Sequence, residues 1–121
     1  MTLNNYSSAV PVIGTADVAG TVAYFEQTLG FKPYAGVKAG SAMLYVSCDP
    51  ELAAAIREQC LTPDIFLWVS DIGKLYEEHR AQHADIREEL TERPWGVRQY
   101  VIREPNGYHL KIAEPLEAEN A

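Results

Sequence analysis

Cysteine is scarce in this chain: Cys48 and Cys60 are the only two in 121 residues. Their spacing matches no zinc pattern, and a domain of this length needs no disulfide staple, so both read as reduced structural thiols. An excess of positive charge is missing as well. Acidic residues outnumber basic ones 17 to 10, for a formal charge of −7, which argues against a nucleic-acid binder and makes a cation the better charged partner. No apolar run approaches the roughly 20 residues of a membrane span, and no basic segment leads into an apolar one near the N-terminus. The expectation is one cytoplasmic domain over residues 1–121, without membrane or nucleic-acid partners, burying about two-thirds of its unfolded surface. Catalytic signatures are also absent: there is no nucleophile elbow and no glycine-rich phosphate loop. His79 and His83 stand one helical turn apart, a spacing that metals use, but without a third ligand the pair reads as helix surface.

What is present is punctuation followed by pattern. Residues 1–8 are polar and residues 116–121 acidic, both expected to fray. Ala9 to Gly14 is a short apolar strand that Pro11 demotes to a sheet edge, or sends out of its own sheet. Asp17 is placed to cap a helix over 17–29, with Val18, Val22, Phe25 and Leu29 on one face and Gly30 as the C-terminal stop. Phe31–Tyr34 and Ala42–Cys48 read as strands separated by a turn region, Gly36 to Ser41, and Pro50 opens a short helix, 51–59. The pattern then restarts. Asp64 to Val69 is a nearly continuous apolar strand, and Asp71 is placed to cap a second helix with inner residues Ile72, Leu75, Tyr76 and His79. Alternating runs Val97–Arg103 and Tyr108–Ala113 flank Glu104-Pro105-Asn106-Gly107, a hairpin whose Pro presets φ and whose Gly accepts positive φ. Trp95, held between Pro94 and Gly96, has no periodicity to bury it and reads as a displayed aromatic platform.

Asp17 and Asp71 lie 54 residues apart, the length of one βαβββ unit. The fold class that follows is α+β: an internal duplication, approximately 9–60 and 61–115, of two βαβββ modules whose mixed sheets curl around a cleft. Helices cover one face of each sheet, so alternate strand residues look the other way. Ile65, Leu67 and Val69 suit the helix side, leaving Asp64, Phe66 and Trp68 toward the cleft. In the last strand Tyr108, Leu110 and Ile112 go under the helix, leaving His109, Lys111 and Ala113 on the cleft side with Val10 and Val12. Phe66 and Trp68 either fill a core or contact a ligand, and their face decides between the two.

Ala9-Val10-Pro11-Val12, Asp17-Val18-Ala19-Gly20, Leu29-Gly30-Phe31, Trp68-Val69 with Leu75-Tyr76, and Pro94-Trp95-Gly96 through Asn106-Gly107 resemble, in order, the markers of the vicinal oxygen chelate superfamily, and within it the bleomycin resistance proteins. Enzymes of that superfamily hold a divalent metal with His and Glu at inward strand positions. Here those positions are Val10, Asp64 and Lys111, and a lysine ammonium offers no lone pair. The resemblance therefore implies a protein without catalytic residues, metal or cofactor that sequesters a cationic aromatic antibiotic of the bleomycin type. It further implies a homodimer with clefts between protomers and the N-terminal strand exchanged. Expected contact residues are Phe66, Trp68, Trp95, Asp64, Lys111, His109 and Tyr34, the last being the only aromatic left in a shortened 32–43 segment. The alternatives are a metal-dependent glyoxalase- or dioxygenase-like enzyme with an atypical site, using His109 and Asp64, and a stress or regulatory ligand-binding protein.

Overall fold

The computed structural model describes residues 5, 9–34 and 36–116; the polar residues before 9, Asn5 apart, and the acidic tail after 116 lie outside the described residues. Asp17 starts the first helix as expected, its carboxylate accepting the Gly20 N–H at 2.9 Å. That helix, α1 (Val18–Gln27), follows strand β1 (Val12–Thr15) and precedes β2 (Lys32–Pro33), β3 (Gly36–Ala39) and β4 (Ala42–Cys48). Helix α2 (Pro50–Glu58) links this module to the second, which runs β5 (Asp64–Trp68), α3 (Ile72–Ala81), β6 (Ile86–Arg93), β7 (Val97–Arg103) and β8 (His109–Pro115). Each module is βαβββ, and the two open four-stranded sheets have matching orders, β1-β4-β3-β2 and β5-β8-β7-β6. In both, the first strand runs parallel to the last and the other neighbours are antiparallel. The fold is α+β, with one βαβββ unit repeated.

Three local readings change. Gly36 to Ala39 is a strand rather than a turn: it pairs with β4 from Gly36 opposite Tyr45 to Ala39 opposite Ala42. Glycine is required at 36 because a Cβ there would collide with the Leu44 carbonyl of the neighbouring strand. Strand β6, invisible in the sequence pattern, carries register shifts against β7 between Ile86 and Thr91, so its few apolar residues do not alternate cleanly. Asp71 does not cap α3. It sits at φ 53° with no side-chain cap bond, and the Glu114 carboxylate of β8 accepts the Asp71 N–H at 3.0 Å and the Ile72 N–H at 3.2 Å instead. Strand β1 pairs in its own chain, Val12 opposite Tyr45, and the Pro11 carbonyl accepts the Tyr45 N–H at 2.9 Å.

The helix-side residues of both sheets merge into one hydrophobic cluster: Ile13, Phe25, Leu44 and Val46 of the first module meet Ile65, Tyr100, Leu110 and Ile112 of the second. A polar seam locks the modules together at the tip of the 104–107 hairpin. The Gly14 N–H donates to the Tyr108 hydroxyl at 3.1 Å, and Asn106 Nδ2 donates to Thr21 Oγ1 at 3.0 Å. Glu104, 1% exposed, accepts the N–H groups of Asn106 and Tyr108 at 2.7 and 3.1 Å and Asn106 Nδ2 at 3.0 Å. Burial still raises its carboxyl above the ordinary value, against the pull of those hydrogen bonds and of Arg103. Tyr24, its hydroxyl buried without a partner, is raised by burial and then by Glu104 and Asp85.

Candidate functional site

Strand parity delivers the second sheet's outer face as expected. Ile65 is buried while Phe66 and Trp68, 46% and 60% exposed, project from the side away from the core. Their rings meet edge to face, centroids 4.9 Å apart at 64°. Large aromatics held in the open on adjacent same-face positions of a paired strand do not fill the core of this chain. They form one wall of a groove of about 370 Å³ at the junction of the modules; Ala9, Pro11 and the segment Ser41 to Leu44 form the other. The pairing of β5 with β8 sets Asp64 opposite His109, Phe66 opposite Lys111 and Trp68 opposite Ala113. Lys111 Nζ reaches Asp64 Oδ2 at 3.2 Å, so the ion pair lies on the same face as the aromatic pair.

Not every expected contact residue joins this group. Trp95 is the most exposed of the described aromatics at 66%, held on a turn closed by the Gly96 N–H on the Arg93 carbonyl at 3.1 Å. It lies beyond the groove's lining, with the Arg93 guanidinium 5.8 Å from its ring centroid. Tyr34, at the end of β2, has the Lys38 ammonium 5.9 Å from its ring and is likewise apart from the groove. His109 is half-buried, its backbone N–H bonded to the Pro63 carbonyl at 2.8 Å. Of the groove's first-module wall, the first strand was expected through Val10 and Val12, although Ala9 and Pro11 are the residues that line it, and Ser41 to Leu44 was missed. Its signal was available, because Leu44 and Val46 as core residues oblige Met43 and Tyr45 to face outward.

Of the two readings of His79, inner face of the helix and helix surface beside His83, the structure bears out the first. His79 is 4% exposed, with Nδ1 2.8 Å from the Tyr100 hydroxyl, while His83 lies past the helix end at φ 62°. Burial lowers the His79 imidazole from its ordinary value, opposed by the Leu29 carbonyl beside the ring and by Glu78; burial likewise raises Tyr100.

Residues 8–112 match the Glyoxalase/Bleomycin resistance protein/Dioxygenase superfamily. The chain belongs to that superfamily. Similar solved structures include a bleomycin resistance determinant encoded on the transposon Tn5, with a TM-score of 0.70 at 20% identity over 92% of this chain and 99% of that one. TioX from Micromonospora sp. ML1 gives 0.67 at 21% identity over 90% and 100%. A virulence protein from Salmonella typhimurium gives 0.66 at 21% over 92% and 99%. At these identities the likeness is one of fold. No curated protein matches the sequence. The superfamily includes enzymes and non-enzymes, and the positions that the resemblance assigns to the enzymes' metal ligands can be tested on this chain's residues. Val10 has no donor atom, and the Lys111 ammonium, bonded to Asp64, repels a cation. Among the described residues no three His, Cys, Asp or Glu side chains gather closely enough to hold a metal. The residues present do not fit a metal centre of the superfamily's kind. No described helix is long and apolar enough to cross a membrane.

Proposed function

We propose that this protein binds a planar, cationic small molecule and sequesters it without chemical change. The observation that carries the reading is the exposed Phe66–Trp68 pair on the wall of a groove large enough for part of a drug-sized ligand. Aromatic faces attract flat rings and cations, and the chain's net charge of −7 favours approach of a cationic ligand. The Asp64–Lys111 pair supplies both signs beside the rings, so Asp64 can exchange its intramolecular partner for a ligand ammonium. A bleomycin-type glycopeptide fits this description, and the Tn5 determinant's resistance function favours it as the first ligand to try. The functional unit in this reading is a homodimer, in which the outer face of one copy's first sheet, bearing Val12, Met43 and Tyr45, completes the groove of the other.

The test is titration with metal-free bleomycin followed by tryptophan fluorescence. Saturable quenching at micromolar ligand is expected, and Phe66→Ala should weaken binding by about 1–3 kcal/mol, the range for a stacking anchor. Absence of quenching would sink the antibiotic reading. A second reading, an enzyme with an atypical site, draws on the register that sets Asp64 opposite His109. Stoichiometric nickel, zinc or manganese binding abolished by His109→Ala would favour it over simple capture.

A further inference from the structure

The outer face of the second sheet has a sheltered floor of its own. Cross-strand register sets Thr91, Gln99, Ala113 and Trp68 in one row across β6, β7, β8 and β5, and Glu88, Val101, Lys111 and Phe66 in the next. Gln99, Val101 and Ala113 are 6%, 1% and 0% exposed, although neither Val101 nor Ala113 belongs to the hydrophobic cluster on the helix side. Phe66, Trp68, Thr91 and Glu88 of the same rows stand exposed as a rim. Five polar side chains are buried among the described residues. Thr15, Thr21, His79 and Glu104 all hydrogen-bond within the chain. The Gln99 amide makes no such bond among the described residues, yet it is not one of the unpartnered polar atoms sealed from solvent, which are the Tyr24 hydroxyl, His79 Nε2 and Arg93 Nε. It therefore keeps access to the outer face, where strand parity directs it. A carboxamide carries two donors and an acceptor, and burying one without partners costs stability. A partner that arrives with a ligand accounts for its place in an apolar floor beside two exposed rings.

We infer that Gln99 reads an amide edge: a carboxamide, lactam or similar group that presents a donor beside an acceptor, carried on the planar cation held by Phe66 and Trp68. Two strand spacings, about 10 Å, separate Trp68 from Gln99. The small Ala113 lies between them, so a ring bearing one amide substituent has the length to touch both. The inference rests on the proposed capture of a planar cation by the two rings. The rings then select for planarity and charge, and Gln99 for the substituent.

The probes are the 1-methylnicotinamide and 1-methylpyridinium cations, alike in ring and charge, of which only the first carries a carboxamide. Titrated into the full chain and followed by heteronuclear NMR, 1-methylnicotinamide should give saturable shifts of the Gln99 side-chain NH2 signals and of the Ala113 and Trp68 amides. It should bind about tenfold tighter than 1-methylpyridinium, the worth of one amide pair. Gln99→Met, which keeps the volume and removes the amide, should erase that preference, whereas Phe66→Ala should weaken both cations alike. The thermal midpoint of Gln99→Met should equal or exceed that of the wild type. A lowered midpoint would show that the amide is already paired, within the chain or against a second copy, and would overturn the inference. Equal affinity for the two cations in the wild type, or a preference that survives Gln99→Met, would also overturn it while leaving capture by the rings standing. Saturable binding of neither cation would overturn both readings together.

Discussion

Glu104 shows how one buried carboxylate ties a hairpin together and makes stability depend on pH. Its three hydrogen bonds close the 104–108 segment on itself, yet burial outweighs them and the carboxyl holds its proton above the ordinary value of 4.5. The native state therefore binds more protons than the unfolded state in the window just above that value. Stability contributed by this group is complete below 4.5 and declines as pH rises through the native value. Glu104→Gln cannot titrate, though it sets one amide against the Asn106 amide. Urea unfolding from pH 4 to pH 7 should find the wild type's advantage over this variant narrowing as pH rises. An advantage constant with pH would show that Glu104 titrates alike in both states.

At the scale of elements, α3 separates what a sequence motif promises from what the chain does. An aspartate before a helix ordinarily caps it, and Asp17 and Asp49 do so. Asp71 instead occupies the left-handed region, and a carboxylate 43 residues away reaches its amide. Glu114 thus supplies negative charge at the positive end of α3 and fixes helix to strand β8. Glu114→Gln should cost about 1 kcal/mol, the usual worth of a cap or a charged hydrogen bond. Asp71→Gly, which relieves a left-handed side chain that caps nothing, should leave stability unchanged or raise it by a few tenths of a kcal/mol. The reverse order in denaturant midpoints would restore Asp71 as the cap. This long-range substitution could not be read from spacing. The same holds for β6, whose bulges and three glutamates hide its alternation, and for β3, whose paired glycine imitates a turn. Strands β4 and β7 were legible to the residue: β4 buries alternate residues, and β7, buried along most of its length, is an apolar and aromatic run bounded by Gly96 and the Pro105 turn. So was the outward face of Phe66 and Trp68. The grouping of those rings with Pro11 and Met43 was not, since it depends on how the modules meet.

For the molecule as a whole, the helix sides of both sheets are consumed in one core and their outer faces remain uncovered. Val12, Met43 and Tyr45 on the first sheet and Phe66 and Trp68 on the second are all exposed. Strands β1 and β5 are edge strands in their sheets, leaving backbone groups that a second copy can satisfy. A twofold arrangement that brings the first sheet of one copy to the second sheet of its partner covers both apolar faces and produces two equal grooves. Sedimentation equilibrium should then give a dimer at micromolar concentration. The pair Val12→Lys and Tyr45→Lys adds two charges to an exposed face outside the chain's own groove lining and without touching the core, and should leave the thermal unfolding of the monomer nearly unchanged while driving the dimer apart. If the groove needs both copies, the same variant loses bleomycin binding at least tenfold, although Phe66, Trp68 and Asp64 are intact. A variant that remains dimeric would place the interface elsewhere; one that is monomeric with full affinity would show that a single chain's groove suffices for capture.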